Sequence, residues 1–247
     1  MSEEFSLSGY SILAPVYDKL NDTVDYSLWA DYIEECFKKF SPEKEIKSVL
    51  ELGCGTGSMT LELARRGYDM TALDISEEML SVAENRVREA GLKDVLFVES
   101  DMCGFELYGT VDAVICCLDG INHLLSREEL LECFALVNNY LEDGGVFVFD
   151  VNTPHKFKTD YADRDYVLED DGVMCCWRNR LNKKQDKVDF CLTVFREKNV
   201  LRCAVFFIAM VLQLCFSVSS VYIILGSVSV GIVSFVISAV GGKNAVH

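Results

Sequence analysis

The chain has 247 residues, which suffice for one α/β domain with a sizeable core but not for two such domains. All 39 acidic residues lie in residues 1–197, as do all but three of the 23 basic ones. Because so acidic a surface repels phosphate backbones, we expect no nucleic-acid partner.

The cysteines favour a reduced, cytoplasmic protein. There are 11 of them, but they are scattered without CxxC spacing, and most lie in apolar runs, where a free thiol packs as a small hydrophobe. The first residues, MSEEFSLSGYS, lack the basic and apolar regions of a secretory signal. The three dispersed histidines form no ligand cluster, so we expect no metal site.

An amphipathic helix is predicted over residues 26–40, because Trp29, Ile33, Phe37 and Phe40 fall on one stripe. After this helix, short apolar or β-branched runs alternate with helical patterns. The runs predict buried strands of a parallel sheet, at Ser48–Leu52, Met70–Asp74, Val95–Val98, Val111–Cys116 and Val146–Asp150.

The helices between these strands have recognisable ends. Gly67 and Gly91 are expected to terminate the first two helices. Ser126 and Glu129 form a capping-box pattern that opens a third. Its buried side is expected to carry Leu131, Phe134 and Leu141. Strand–helix alternation with short connections predicts a Rossmann-like, doubly wound α/β fold with a mostly parallel sheet.

After Asp150 the pattern becomes that of antiparallel hairpins, with turns expected at Asp171–Gly172 and around residues 183–186. The chain therefore divides into four predicted segments. They are an N-terminal helical lid (1–45), a Rossmann-like core (46–154), an inserted antiparallel hairpin region (155–200) and a hydrophobic tail (201–247).

A glycine-rich loop follows the first predicted strand. Gly53, Gly55 and Gly57 alternate with other residues, so the spacing departs from the G-x-G-x-x-G of dinucleotide-binding loops. Glu51 precedes them, and an acidic residue suits a cationic or zwitterionic ligand better than a pyrophosphate. A tight strand–helix turn without a ligand is the alternative, although such a turn needs only one glycine.

The stretch VLELGCGTG resembles motif I of the class I S-adenosylmethionine-dependent methyltransferases. The resemblance implies that the loop passes under the methionine and ribose parts of this cofactor. It also implies that Asp74 accepts the ribose hydroxyls, while Asp101 and the Met102 amide contact the adenine. The alternatives are a helix N-terminal charge for Asp74 and a solvated loop carboxylate for Asp101.

Two further stretches, YSILAPVYDKLNDTVDYSLWADYIEE and VFVFDVNTPHKF, resemble small bacterial methyltransferases, with similarity over about residues 9 to 197. In that family the N-terminal segment folds over the cofactor, which implicates Tyr10, Tyr17, Asp18, Tyr26 and Trp29. The alternative is that these aromatic side chains only pack the N-terminal helix; it is preferred for Trp29 and stays open for Tyr17. The cofactor-binding set implied by the resemblance comprises Glu51, Gly53, Cys54, Gly55, Gly57, Asp74, Ile75, Asp101, Met102, Leu118, Tyr17 and Tyr26.

The fourth predicted strand ends in VICCLDGINHLL, which contains neither NPPY nor a Pro-Cys pair. In the resembled family this stretch corresponds to motif IV, and the absence of NPPY, DPPY and Pro-Cys disfavours methylation of adenine or glutamine amide nitrogens and of cytosine C5. The resemblance therefore implies methyl transfer to N, O or S of a small-molecule acceptor by in-line displacement. Candidate catalytic residues are His123, Asp119 and Tyr17, with His155 a weaker candidate; a structural role for His123 is the alternative. A non-catalytic cofactor-binding domain and an NAD-dependent oxidoreductase are rival functions.

The tail differs from the rest of the chain. Residues 203–240 carry no charge, while Arg202 and Lys243 flank them. Three interpretations remain open, namely a membrane anchor, a shifted reading frame, and strands of a buried hairpin. The second is suggested because the resembled family continues here with a charged helix and a closing hairpin.

Overall fold

The structure is a computed structural model that describes residues 14, 17–21, 23–162, 164–170, 173–183 and 187–196. Three features predicted from the sequence lie outside these residues. They are Tyr10, the two hairpin turns (apart from Lys183), and the uncharged stretch 203–240. The chain forms two compact units. One contains a five-stranded sheet, and the other contributes to a three-stranded sheet.

The elements follow one another in alternation. In chain order they are α1 (Tyr17–Leu20), α2 (Tyr26–Phe40), β1 (Ser48–Leu52), α3 (Ser58–Arg65), β2 (Asp69–Asp74), α4 (Glu77–Glu89), β3 (Leu96–Glu99), β4 (Val111–Cys116), a 3₁₀ turn (Gly120–His123), α5 (Arg127–Tyr140), β5 (Leu141–Phe149), α6 (Pro154–Lys156) with a π turn (Phe157–Tyr161), β6 (Asp165–Asp170), β7 (Val173–Leu181) and β8 (Val188–Arg196).

The five-stranded sheet is parallel throughout and has the order β3-β2-β1-β4-β5. The predicted α/β class with a mostly parallel sheet is confirmed. The strand order reverses between β1 and β4, since β2 and β3 extend the sheet on one side and β5 on the other. In open α/β sheets the crevice at such a reversal, beyond the carboxyl ends of the strands, is where ligands bind.

The helix ends follow from local chemistry. Gly67 and Gly91, at φ +95° and +78°, follow α3 and α4 as expected. The predicted capping box opens α5, because Ser126 Oγ accepts the Glu129 amide at 3.1 Å and Glu129 Oε2 accepts the Ser126 amide at 3.0 Å. β1 and β4 match their predicted bounds, whereas β5 begins five residues earlier than expected, at Leu141.

Hydrophobic side chains fill both faces of this sheet. Val49 and Leu50, adjacent in β1, point into separate core clusters because successive strand residues face opposite sides. The first cluster includes Ile33 and Phe37 of α2 together with Leu63, Met70 and Ile115. The second includes Cys133 and Val137 of α5 together with Leu52 and Val114.

Three expectations about these helices were wrong. Leu131 is 56% exposed, since α5 buries Cys133 and Val137, and a position two residues before Cys133 lies on the far side of the helix. Leu141 packs against the second core cluster as expected, but it starts β5 rather than extending the helix. Phe40 is 63% exposed at the last position of α2, where the Lys39 ammonium lies 5.1 Å from its ring centroid.

The three-stranded sheet has the order β6-β7-β8. β6 and β7 are antiparallel, with Tyr166 opposite Trp177 and their rings 6.0 Å apart. The Asn182 amide donates to the Lys187 carbonyl at 2.9 Å, between β7 and β8. The antiparallel region expected after Asp150 is therefore present.

Several wider expectations concern ions, disulfides and membranes. The cysteines of the described ranges are free thiols. Among those same ranges, no group of three or more His, Cys, Asp or Glu side chains is arranged to hold a metal ion. The helices that the structure describes include none with the length and apolar character needed to cross a membrane.

Candidate active site

The predicted site residues converge on one edge of the parallel sheet. The glycine loop, residues 53–57, follows β1, and Asp74 is the last residue of β2. Asp101 comes shortly after β3, while Leu118 and Asp119 follow β4. Because parallel strands end at the same edge, the four loops meet where the strand order reverses.

The three glycines of the loop have different structural roles. All have positive φ, +68° for Gly53, +54° for Gly55 and +73° for Gly57. A Cβ on Gly57 would lie 2.7 Å from the Ala83 Cβ, so this glycine lets α4 pack against the loop. A Cβ on Gly53 or Gly55 would meet only the side chains of Met102 at 3.6 Å and Tyr17 at 3.9 Å. Gly53 and Gly55 thus leave backbone uncovered, as a closely approaching ligand requires.

Asp74 joins this loop to the end of β2. Its carboxylate accepts the Gly55 amide at 2.8 Å on one oxygen and the Ser76 amide at 3.0 Å on the other. Burial raises the pKa of Asp74, while these backbone donors and the charge of His123 act in the opposite direction. A carboxylate has about four acceptor positions, so Asp74 can orient the loop and still accept further hydroxyl groups.

Glu51 lies beneath the loop. It is 3% exposed, and the Thr60 hydroxyl donates to its carboxyl group at 2.5 Å, which links β1 to α3. Burial raises the pKa of Glu51 to about 8; the Thr60 hydrogen bond opposes this shift and the charge of Asp74 adds to it. Burial therefore favours the protonated form of Glu51, and its contact with a cofactor stays a prediction.

Cys54 fastens the glycine loop to the sheet, and its thiol is buried. The Cys54 amide donates to the Leu73 carbonyl at 2.9 Å, which fastens the loop to β2. Burial raises the pKa of the Cys54 thiol well above its ordinary value, as it does for Cys116 and Cys117 at the end of β4. Thiols with so little thiolate are poor nucleophiles, so the three buried thiols are not expected to react.

The loop after β2 exposes an apolar side chain, whereas the loop after β3 exposes a carboxylate. Ile75 is 46% exposed directly beyond Asp74. Asp101 is exposed and accepts the Cys103 amide at 2.8 Å, so it holds its own turn in shape. Met102 is half-buried and packs on the second core cluster.

The loop after β4 has an unusual backbone. Leu118 and Asp119 both have φ +58°, which is rare for residues with a side chain. The Asp119 amide donates to the Asp150 carboxylate at 2.9 Å, and the Asn152 amide group donates to the Asp119 carboxylate at 2.6 Å. Strain of this kind costs about 1–3 kcal/mol per residue and is concentrated at functional sites.

Asp119 and His123 both lie in the segment that follows β4. Burial raises the pKa of Asp119; the Asn152 hydrogen bond opposes this and the charge of Asp150 reinforces it. The charge of His123 lowers the pKa of both Asp119 and Asp74, so the imidazole acts on both carboxylates. His155, by contrast, has an exposed side chain in α6.

Sequence reasoning missed the asparagines that hold this loop. Asn152 is 7% exposed, and its backbone amide donates to the Asn122 side-chain oxygen at 2.7 Å. The signal was present in VFVFDVNTPHKF, where polar residues follow the last strand of the parallel sheet. Such residues reach the same edge as the glycine loop.

The N-terminal segment contacts the loop from α1 and α2. Tyr17 faces Gly55, and the Thr56 hydroxyl donates to the carboxylate of Asp18 at 2.6 Å. Tyr26 hydrogen-bonds with Ser58, and burial raises the pKa of its phenol. Trp29 packs against the first core cluster, as expected.

Comparison with known proteins decides the family. A family model described as a methyltransferase domain matches residues 49–145. The crystal structure of an S-adenosylmethionine-dependent methyltransferase from Clostridium acetobutylicum ATCC 824 is 32% identical, with a TM-score of 0.62 over 76% of this chain and 81% of that one. This chain belongs to the S-adenosylmethionine-dependent methyltransferases. Membership in this family argues against the NAD-dependent oxidoreductase that the sequence left open as a rival function.

Two curated relatives extend the comparison. The YqeM protein of Bacillus subtilis (strain 168) is 34% identical over 173 residues, 69% of this methyltransferase chain and 66% of YqeM. The dTDP-3-amino-3,4,6-trideoxy-alpha-D-glucopyranose N,N-dimethyltransferase of Streptomyces venezuelae is 32% identical over 152 residues, 61% of this chain and 60% of the relative. A third or more of each relative therefore lies outside the match.

Proposed function

We propose that this chain binds S-adenosylmethionine at the edge formed by β1, β2 and β3 and transfers its methyl group to a small-molecule acceptor held beside the end of β4. The observation that carries the proposal is the meeting of an uncovered glycine loop with the Asp74 carboxylate where the strand order reverses. Family membership supports the choice of cofactor.

The residues of the edge fit the three parts of this cofactor. The backbone at Gly53 and Gly55 would lie against the methionine and ribose parts, and the free acceptor positions of Asp74 would take the ribose hydroxyls. The exposed Ile75 side chain would pack against the adenine ring, and Asp101 would accept its amino group. The implied contacts of Cys54, Met102 and Leu118 are proposed through their backbone.

The chemistry of the bound cofactor is that of a methyl group activated on a sulfonium, ready for in-line displacement. The chain has to orient the acceptor atom and exclude water, and orientation alone can supply about 7–11 kcal/mol in well-aligned cases. Tyr17 and Tyr26 would cover the loop from the N-terminal side. No covalent intermediate with the protein is needed.

An amine is the acceptor that the β4 loop favours. Asp119 is held by Asn152, and its carboxylate would attract a cationic amine and could take up the amine's proton. The raised pKa of Asp119 suits it to take up a proton. The name of the Streptomyces venezuelae relative, an N,N-dimethyltransferase of an amino sugar, supports an amine nitrogen as acceptor.

Calorimetric titration of S-adenosylhomocysteine into the full-length protein tests the cofactor site. Asp74→Asn should weaken binding at least tenfold, since hydrogen bonds to a charged group contribute about 1.5–3 kcal/mol. Asp69→Asn, at the other, exposed end of β2, is the matched control and should bind as the wild type does. Equal affinities for the two variants, or no binding by the wild type, would contradict the proposal.

Methyl transfer is tested separately, by supplying labelled S-adenosylmethionine with amino sugars, amino acids, hydroxy acids and thiols. Transfer to an amine is the expected outcome. Transfer to oxygen or sulfur alone would overturn the preference for nitrogen. Tight binding of S-adenosylhomocysteine without transfer to any acceptor class would favour a cofactor-binding domain that lacks catalysis.

A further inference from the structure

Arg86 of α4 contacts both the N-terminal helix α1 and the glycine loop. Its guanidinium forms an ion pair with the carboxylate of Asp18, on the short helix α1, 68 residues earlier in the chain. The same guanidinium donates to the hydroxyl groups of Thr56 and Ser58, where the glycine loop enters α3. Arg86 therefore joins three parts of the chain that are distant in sequence.

The hydroxyl groups complete a network around Asp18. Thr56 is 2% exposed and donates to Asp18 Oδ1 at 2.6 Å, while the Ser58 hydroxyl lies 3.5 Å from the same oxygen. The Arg86 guanidinium contacts the other carboxylate oxygen. Both oxygens of Asp18 are thus held by groups of the glycine loop, the start of α3 or α4.

This network matters because α1 has four residues. A helix of one turn is not stable by itself, so its position depends on tertiary contacts. Tyr17, the neighbour of Asp18, faces Gly55 across the loop. A contact that anchors Asp18 therefore also restrains the neighbouring Tyr17.

We propose that Arg86 is a positioning residue, which holds Asp18 and with it Tyr17 against the glycine loop and so sets the lifetime of the bound cofactor. The proposal rests on the proposed function, because it places the cofactor at this loop. The side chains of Arg86 and Asp18 are 22% and 40% exposed, so dissolved salt reaches the pair. Release of the cofactor should consequently depend on ionic strength.

The matched control is Arg88, two residues further along α4. Arg88 is exposed and donates to Asn85 of its own helix, so Arg88→Gln removes the same charge without touching α1. The double variant Asp18→Arg/Arg86→Asp exchanges the two charges and keeps an ion pair at the same place. If Arg86 acted only through the net charge of the protein or the stability of α4, Arg86→Gln and Arg88→Gln would have the same effect.

The first measurement is hydrogen–deuterium exchange of the full-length protein without cofactor. Within residues 17–21 the Asn21 amide donates to the Asp18 carbonyl at 3.1 Å. Arg86→Gln should accelerate exchange of this amide about fivefold, corresponding to an ion pair of about 1 kcal/mol. Arg88→Gln should leave that segment unchanged, and the exchanged pair should restore slow exchange. Exchange that is equally slow in Arg86→Gln and in Arg88→Gln would overturn the anchoring role.

The second measurement is the dissociation rate of S-adenosylhomocysteine at about 0.05 and 0.5 M NaCl. In the wild type the rate should rise with salt, and in Arg86→Gln it should be about fivefold faster at low salt and nearly independent of salt. Unchanged rates in Arg86→Gln would refute the link to cofactor lifetime. If the wild type fails to bind the ligand, the proposed function fails, while the exchange experiment still decides whether Arg86 anchors α1.

Discussion

Replacement of Gly57 by alanine tests how the glycine loop is packed. Gly57 has φ +73°, and an added Cβ would lie 2.7 Å from the Cβ and 3.2 Å from the Cα of Ala83 in α4. These atoms belong to a helix backbone and to the first side-chain carbon, so they cannot turn away. The loop or α4 would have to move.

The expected loss of stability has two parts. An alanine at positive φ costs about 1–2 kcal/mol, and overpacking of a buried contact costs about 1–3 kcal/mol. Gly57→Ala should therefore lower the free energy of unfolding by about 2–5 kcal/mol. Gly91→Ala is the matched control, because its φ is +78° and a Cβ there would meet nothing within 4 Å.

Urea denaturation, followed by circular dichroism, measures both variants against the wild type. The difference between Gly57→Ala and Gly91→Ala isolates the contact with Ala83. Adding Ala83→Gly to Gly57→Ala should return part of that difference, after allowance for the cost of about 1 kcal/mol that glycine imposes within a helix. Equal destabilisation by the two glycine replacements would refute the argument that Gly57 is required by packing.

Two further predictions concern pH. Because burial raises the pKa of Glu51 from 4.5 to about 8, its contribution to stability is complete below about pH 4.5 and is lost as the pH rises to 8. Glu51→Gln should therefore gain stability relative to the wild type between pH 5 and pH 8 in urea titrations, and a constant difference would contradict the raised pKa. For Asp112, burial acts to raise the pKa, but hydrogen bonds from Ser48, from the Lys47 amide and from Lys44 together lower it from 3.8 to about 2. Its contribution is present above about pH 4 and lost as the pH falls to 2. Asp112→Asn should accordingly be less stable than the wild type at pH 7 and approach it near pH 2, whereas an equal deficit at both pH values would refute the role of the charge.

Much of the fold could be predicted because it depends on local patterns. The bounds of α2, β1 and β4 follow from runs of apolar residues that are interrupted by polar ones. The capping box of α5 and the glycines after α3 and α4 are equally local signals. Leu131 shows the limit of this reasoning, since an apolar residue on a helix need not face the core when small side chains such as Cys133 already fill it.

The candidate site could be predicted in outline for a related reason. In a parallel α/β sheet, residues that follow strands reach one edge, so strand prediction already gathers Gly53, Asp74, Asp101 and Asp119. Which of these residues contact one another depends on distances in the tertiary structure, which no local sequence pattern predicts. Asn152 was missed because its partner, Asp119, lies 33 residues away along the chain.

The sequence by itself determined the class of fold, the order of strands and helices, and the type of loop at which a cofactor could lie close to the backbone. These properties follow from side-chain periodicity, glycine spacing and capping residues, all of which act over a few neighbouring positions. Tertiary structure decided that Glu51 is buried and its pKa raised, that Gly57 packs on Ala83, and that Arg86 reaches Asp18. Burial and long-range pairing arise only when the sheet and its helices bring distant segments together, and the pKa values and contacts of the site follow from that assembly.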